Sequence, residues 1–328
     1  MDILEILKKA AENQAADIFI VCGAVLSFKA HGKMYELDDV ILSTDDTRNL
    51  VLQIFRLAKR DITEDQLPER EKDFSLSVPG VGRFRVNIYK QRGSFSAVLR
   101  YVPFDLPDSE KLGIPEQVMQ LSECKSGIVL ITGVASSGKS TTLSCILNRI
   151  NQSRSGHIIT IEDPIEFLHK HNKCIVSQRE INIDTDSYID ALRAALRQSP
   201  DVILLGEMRD YETISVAMTA AETGHLLFST LHTIGAANTI DRIIDVFPPN
   251  QQHQIAVQLS MVLNAVISQQ LVPTVDGQMV PAFEIMSVTP AIRNMIRDNK
   301  VHQIDGLIAT SAKDDMISMD MSLMNLCK

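Results

Sequence analysis

Residues 131–143 read "ITGVASSGKSTTL". Within them, Gly133 to Ser140 ("GVASSGKS") match the spacing G-x-x-x-x-G-K-[ST], after an apolar run and ahead of a helix-compatible one. That context gives the pattern a mechanism. Loop amides and the N-terminus of the following helix turn N–H donors and a positive dipole end toward bound phosphates. Gly133, Val134, Ala135, Ser136, Ser137, Gly138, Lys139, Ser140 and Thr141 are therefore expected to cradle a nucleotide. Lys139 would bring a point charge to the β- and γ-phosphates, and the Ser140 hydroxyl would ligate Mg2+. ATP and Mg2+ are the cofactors this predicts.

Around this loop the chain keeps one rhythm. "SGIVLITG" (126–133), "HIITIED" (157–163), "DVILLGE" (201–207) and "HLLFSTLH" (225–232) are short, continuously apolar runs. Helical patterns such as "SYIDALRAALRQS" and "DYETISVAMTAAETG" lie between them. Strands covered on both faces look like this, and the alternation predicts a parallel α/β sheet. "PNQQHQIAVQLSMVLNAVISQQL" (249–271) reads as one long helix, and the tail from "TPAIRNMIRDNK" as mostly helical.

Three stretches carry further candidate chemistry. "DVILLGEMRD" ends its apolar run at Gly206 and Glu207. Ligands of open α/β sheets collect at that edge, so Glu207 would hold the magnesium. "TIEDPIEF" (160–167) carries Glu162, Asp163 and Glu166, and Pro164 disfavours helix at the residue before it, which puts the acids on a shaped loop. Hydrolysis needs a carboxylate to orient or deprotonate water, and one of the three is a candidate; local sequence alone fits a solvated acidic loop nearly as well. "ETGHLLFSTLHT" (222–233) places His225 and His232 seven positions apart. Two imidazoles do not complete a metal site, and an odd spacing sets them on opposite faces of an ideal strand. Spacing alone leaves core packing and sensing of a bound phosphate equally open.

The 328 residues, 45% hydrophobic and 22% charged, suit two globular domains. Residues 1–104 are expected to form a smaller α+β domain, with strands "ADIFIV" and "VLSFKA", a helix "TDDTRNLVLQIFRLAKR" and a meander "DFSLSV", "RFRVNIYKQ", "SFSAVLRYV". Strand alternation puts Phe84, Val86 and Ile88 on one face, and Arg83, Arg85, Asn87 and Tyr89 on the other. Residues 105–116, within the Pro-rich "PFDLPDSEKLGIPE", read as the linker, and 117–328 as the second domain. A formal net charge of −9 disfavours a nucleic-acid partner. Five scattered cysteines without a C-x-x-C pair argue against a zinc module or a disulfide framework and suit a reducing cytoplasm. No apolar run reaches the length of a membrane span, and the N-terminus lacks a signal-peptide layout.

Together, "TIEDPIEF", "ALRAALRQSPDVILLGEMRDYETISVAMTAAETGHLLFSTLHT", "TIDRIIDVFP" and "PAIRNMIRDNK" resemble the PilT-type retraction ATPases of type IV pili, in the secretion ATPase superfamily. The resemblance is highly specific over residues 125–300 and looser over the first seventy. It implies a RecA-like P-loop ATPase domain preceded by a PAS-like α+β domain, assembled as a homohexamer. It implies a cytoplasmic motor at the inner face of the cytoplasmic membrane, docked on a polytopic inner-membrane platform protein of the pilus machinery, whose ATP hydrolysis drives pilus retraction and twitching motility. Glu166 matches the family's catalytic glutamate, Glu207 its Walker B glutamate, and His225 and His232 the two His-box positions, which favours phosphate sensing. Arg85 and Arg100 match first-domain arginines that reach a neighbour's γ-phosphate. "AIRNMIRD" matches a motif linked to retraction and also reads as a plain amphipathic helix.

Three departures stand out. Ser136 replaces the middle glycine of the family's loop; if that position needs a positive φ, serine costs roughly 1–2 kcal/mol. "AADIFI" lacks the family's histidine, and the tail "MISMDMSLMNLCK" is short for the family, which predicts a truncated C-terminus. The alternatives are a pilus assembly motor or second retraction-type paralogue, or a RecA-like nucleic-acid translocase, which the acidic charge opposes.

Overall fold

The computed structural model describes residues 2–30, 33–60, 62–102, 106–310 and 316–327. The chain divides into two compact units, Met1–Asp105 with Glu166–Leu168, and Leu106–Ile165 with His169–Lys328.

The first unit contains α1 (Ile3–Glu12), β1 (Asp17–Ile20), β2 (Val25–Ala30), β3 (Lys33–Ile41), α2 (Thr44–Leu57), β4 (Lys72–Val78), β5 (Gly82–Gln91) and β6 (Ser94–Val102). Among the described residues its strands form one antiparallel sheet in the order β3-β2-β1-β6-β5-β4. A capping box between Ser43 and Asp46 starts α2, satisfying helix N–H groups that would otherwise lack partners. The sheet alternates as its sequence predicts: Phe84, Val86 and Ile88 are buried with Leu7 of α1 and Ile54 of α2, while Arg83, Arg85 and Asn87 are only half-buried.

The second unit contains α3 (Glu116–Met119), β7 (Gly127–Thr132), α4 (Lys139–Ser153), β8 (Gly156–Glu162), β9 (Cys174–Glu180), α5 (Tyr188–Ala195), β10 (Val202–Leu205), α6 (Tyr211–Glu222), β11 (Leu226–Leu231), α7 (Ala236–Asp245) and α8 (Pro249–Val262). It continues with β12 (Leu263–Pro273), β13 (Met279–Ser287), α9 (Pro290–Arg297), α10 (Ile304–Thr310) and α11 (Met319–Leu326). The sheet order is β13-β12-β7-β11-β10-β8-β9, with β13 paired antiparallel and the other neighbours parallel. One buried cluster lies on each face of this sheet, as a parallel α/β architecture requires.

The expected long helix over 249–271 is corrected. It ends at Val262, and β12 takes over at Leu263, pairing with β7 as far as Ser268. Without β12, the ladder groups on that side of β7 would lack partners in a buried place. Val266 and Ile267 suit a strand covered on both faces, and such strands lose the alternation that separates them from helices. The stretch read as linker, from Leu106 on, packs into the second unit. Ile114 is buried in its core, Cys145 donates to the Pro107 carbonyl, and Arg149 grips Glu116 with two hydrogen bonds of 2.8 and 2.6 Å. Asp105 lies outside the described residues.

His169, between β8 and β9, is mostly enclosed. Burial pushes its imidazole down from 6.5 to about 4, and its Nδ1 has no hydrogen-bond partner among the described residues. The unfolded chain therefore binds the extra proton first. Stability is full above about pH 6.5 and falls as the pH drops toward 4. Between pH 7 and pH 5 the wild type should lose roughly 2 kcal/mol more unfolding free energy than His169→Gln, measured by urea unfolding. Parallel pH profiles would refute this.

Candidate functional site

The carboxyl ends of β7, β11, β10 and β8 converge because the four strands are parallel neighbours. Thr132 pairs with Leu231, Ser229 with Leu205, and Leu205 with Ile161. Gly133, His232, Gly206–Glu207 and Glu162 therefore leave the sheet at one edge.

The loop after β7 wraps back onto β12. A Cβ built on Gly133 would come within 2.2 Å of the Gln269 carbonyl, and one on Gly138 within 2.7 Å of the Gln269 side-chain nitrogen. Both glycines have positive φ, 142° and 88°, so sterics and backbone agree on glycine. Ser136 also sits at positive φ, 60°. Its predicted strain cost of roughly 1–2 kcal/mol therefore applies. Lys139, 8% exposed, donates to the carbonyls of Gly133 (2.8 Å) and Val134 (2.7 Å). A buried ammonium needs such oxygens, and phosphate oxygens are stronger acceptors for it. The Ser137 hydroxyl is buried in the same loop with no partner among the described residues. An unused donor beside a buried cation at a helix N-terminus fits a polyphosphate.

Glu207 follows β10 and is largely shielded. One carboxylate oxygen lies 2.6 Å from Arg209 Nη2 and the other 3.6 Å from His232 Nε2. Tyr188 of α5 closes the floor: its hydroxyl would be 2.9 Å from a Cβ on Gly206, so that position admits only glycine without a shift. Burial, reinforced by Glu207, Asp163 and Glu162, pushes the Tyr188 phenol well up, keeping it a proton donor. Thr230 of β11 donates to the Gly206 carbonyl at 2.6 Å. Neither Tyr188 nor Thr230 carries a sequence signal, since both belong to ordinary helix and strand patterns. Among the described residues no three His, Cys, Asp or Glu side chains are arranged to hold a metal ion. A cation here would take its oxygens from Ser140, Glu207 and the phosphates, a donor set that suits magnesium.

The acidic loop after β8 is shaped, as Pro164 predicts, and its Asp163–Pro164 peptide is cis. Glu162 accepts from Thr160 Oγ1 at 2.6 Å and from Gln178 Nε2 at 3.2 Å. Glu166 is exposed, and its carboxylate makes no hydrogen bond or ion pair among the described residues.

The whole chain is similar to known proteins. The family model for "Type II/IV secretion system protein" matches residues 1–312. The chain belongs to the type II/IV secretion system protein family. It is 45% identical over 326 residues to the "Type IV pilus retractation ATPase PilT" of Pseudomonas aeruginosa, covering 99% of this chain and 94% of that one. It is 39% identical to the "Type IV pilus ATPase PilU" of the same organism, covering 99% and 85%. The crystal structure of the pilus retraction motor PilT with bound ADP superposes with a TM-score of 0.85 at 44% identity, covering 99% of this chain and 96% of that one. The secretion-ATPase fold is thus established for the chain.

Within this member of the secretion family, the remaining candidates separate. His225 is not brought to the phosphate edge. It precedes β11, and its carbonyl accepts from Gly127 at the start of β7. At about 3.3 Å per residue, the strand holds it roughly 20 Å from His232. Its Nδ1 lies 3.0 Å from the Ala220 carbonyl, which also accepts the His225 amide at 3.1 Å. That arrangement closes the C-terminal end of α6 just beyond its cap residue Thr223, so within one chain His225 stands at the opposite end of β11 from the phosphate edge. Arg85 and Arg100, in the first unit, are cross-strand partners. Arg100 is tied to Asp17 at 2.9 Å, whereas Arg85 makes no ion pair among the described residues. In "AIRNMIRD", Ile292 and Ile296 are buried and Arg293 Nη1 donates to the Ser260 and Met261 carbonyls at the end of α8.

His225→Ala should lower stability by about 1 kcal/mol, the usual net value of a hydrogen bond, and leave ADP affinity within about twofold. Unchanged thermal stability with weakened ADP binding would restore the sensing role.

Proposed function

We propose that this chain is the subunit of a homohexameric, Mg2+-dependent ATPase that powers retraction of type IV pili. The observation that carries this reading is the meeting of the phosphate loop, the Glu207–His232 pair and the acidic loop at one sheet edge, in a chain 45% identical to a retraction ATPase.

Lys139 and the loop amides from Gly133 to Thr141 bind the phosphates. Ser140 and Glu207 would hold Mg2+, which neutralises charge on the β- and γ-phosphates when bound. Glu166, with no partner to restrain its carboxylate, orients the attacking water and accepts its proton. His232 reports on the phosphate through its contact with Glu207. Arg85 and Arg100 of a neighbouring subunit offset the charge that develops on the transferred group. Arg85's lack of an ion pair supports that use, because the cation is available to an anion.

The motor works in the cytoplasm, against a polytopic inner-membrane platform protein of the pilus machinery. No described helix is long and apolar enough to cross a membrane. The 39% identity to PilU favours, as a second reading, an accessory retraction-type ATPase of the same machinery.

Glu166→Gln should lower ATP turnover by about 10²-fold or more while ADP binding persists. Wild-type turnover would remove Glu166 from the mechanism. In cells, deletion of the gene should leave excess non-retracting pili; bald cells would point to assembly instead.

A further inference from the structure

β9 carries no motif, yet its side chains hold the loop that carries Glu166. Residues 178 and 180 are two apart and so share a face of the strand. The register sets Gln178 beside Thr160 and Glu180 beside Glu162. Gln178 uses both ends of its amide: Oε1 accepts from the His169 backbone N–H at 2.8 Å, and Nε2 donates to Glu162 at 3.2 Å. Glu180, only 4% exposed, accepts from the Ile165 backbone N–H at 3.3 Å. The two pinned amides bracket Glu166. Its own carboxylate has no partner among the described residues, so its placement follows from its backbone.

The choice of residues argues for a purpose beyond packing. A carboxylate buried opposite another carboxylate is costly unless hydrogen bonds offset the burial, and Glu180 spends one of its oxygens on the Ile165 amide. The strand itself is firmly held. The Glu180 amide donates to Asp184 Oδ2 at 2.8 Å, and the Glu180 carbonyl accepts from the Asp184 amide at 2.8 Å. Asn151, buried in α4, ties down the segment leading into β9. Its side chain donates to the Lys170 carbonyl (2.7 Å) and accepts from the Cys174 amide (3.1 Å), and its carbonyl accepts from the Lys173 amide (3.0 Å). The same helix begins at Lys139, so the phosphate cradle and the acidic loop share one support.

We propose that Gln178 and Glu180 are positioning residues that clamp the backbone on either side of Glu166 and so set its carboxylate for water activation. The catalytic part of this inference rests on the ATPase reading above; the clamp itself does not.

The test uses the full-length protein and the variants Gln178→Leu, Glu180→Leu and Glu180→Gln. ATP turnover and KM, ADP affinity and amide hydrogen exchange over residues 163–169 are measured. A reacting group displaced by about 1 Å costs on the order of 10²-fold. Both leucine variants should therefore lose about tenfold or more in kcat, keep ADP affinity within about threefold, and exchange the loop amides about tenfold faster. Glu180→Gln keeps an oxygen for the Ile165 amide and should return turnover to within about threefold of wild type. Unchanged loop exchange in both leucine variants would overturn the clamp. A fall in ADP affinity matching the fall in kcat, or a Glu180→Gln variant as impaired as Glu180→Leu, would also overturn it. Glu166→Gln is assayed alongside. If it turns over at the wild-type rate the catalytic reading fails, while loop exchange still decides the clamp.

Discussion

The phosphate edge exists because β7, β11, β10 and β8 run in one direction as immediate neighbours. Parallel pairing delivers every carboxyl terminus to the same side. The register then sets the loops level: the phosphate loop after Thr132, His232 after Leu231, and Glu207 two residues after Leu205. One strand, β11, separates the phosphate loop from Glu207. At about 4.8 Å per strand spacing, that interval is roughly 10 Å, room for a phosphate chain and a cation between them. A one-residue slip of β10 would exchange its two buried faces and shift Glu207 by about 3.3 Å along the strand.

Charge at this edge is managed group by group. Glu207 lies between Arg209 and His232. Glu162 is neutralised in part by hydrogen bonds from Thr160 and Gln178. Tyr188, buried beneath the acids, keeps its proton and so adds a dipole without adding a charge. Lys139 is folded onto the carbonyls of its own loop. Against this background Glu166 stands apart, exposed and without a partner among the described residues. A carboxylate meant to move a proton benefits from that freedom in its side chain, provided its backbone is fixed.

Much of this was legible from local pattern. Gly133 and Gly138 occupy the conformations their motif demands, and the alternation of β5 alone assigns Phe84 and Arg85 to opposite faces. Local pattern does not carry whatever depends on the position of a segment in the sheet. His225 and His232 look like a matched pair in sequence, but a strand has two ends, and spacing does not say which end meets a ligand. The run from 249 to 271 hides a helix-to-strand change because a strand buried on both faces shows no period of two. Gln178 and Glu180 fall in "SQRE", a short polar stretch at a sheet edge, where only the pairing with β8 shows that both side chains face Glu162.

The same logic locates "AIRNMIRD". Arg293 caps the carbonyls of Ser260 and Met261, two residues before β12 begins. Along β12, Ser268 accepts the Gly235 amide in the loop beyond His232, and Gln269 accepts from Thr142 in α4 while its backbone lies against Gly133. On β13, Glu284 accepts the Ala236 amide at the start of α7, and burial pushes that carboxyl up. The β12–β13 hairpin therefore supports both flanks of the phosphate edge, and α9 is bonded to the helix that feeds it. A motif with no group at the phosphates is connected to them through one strand and a few named hydrogen bonds.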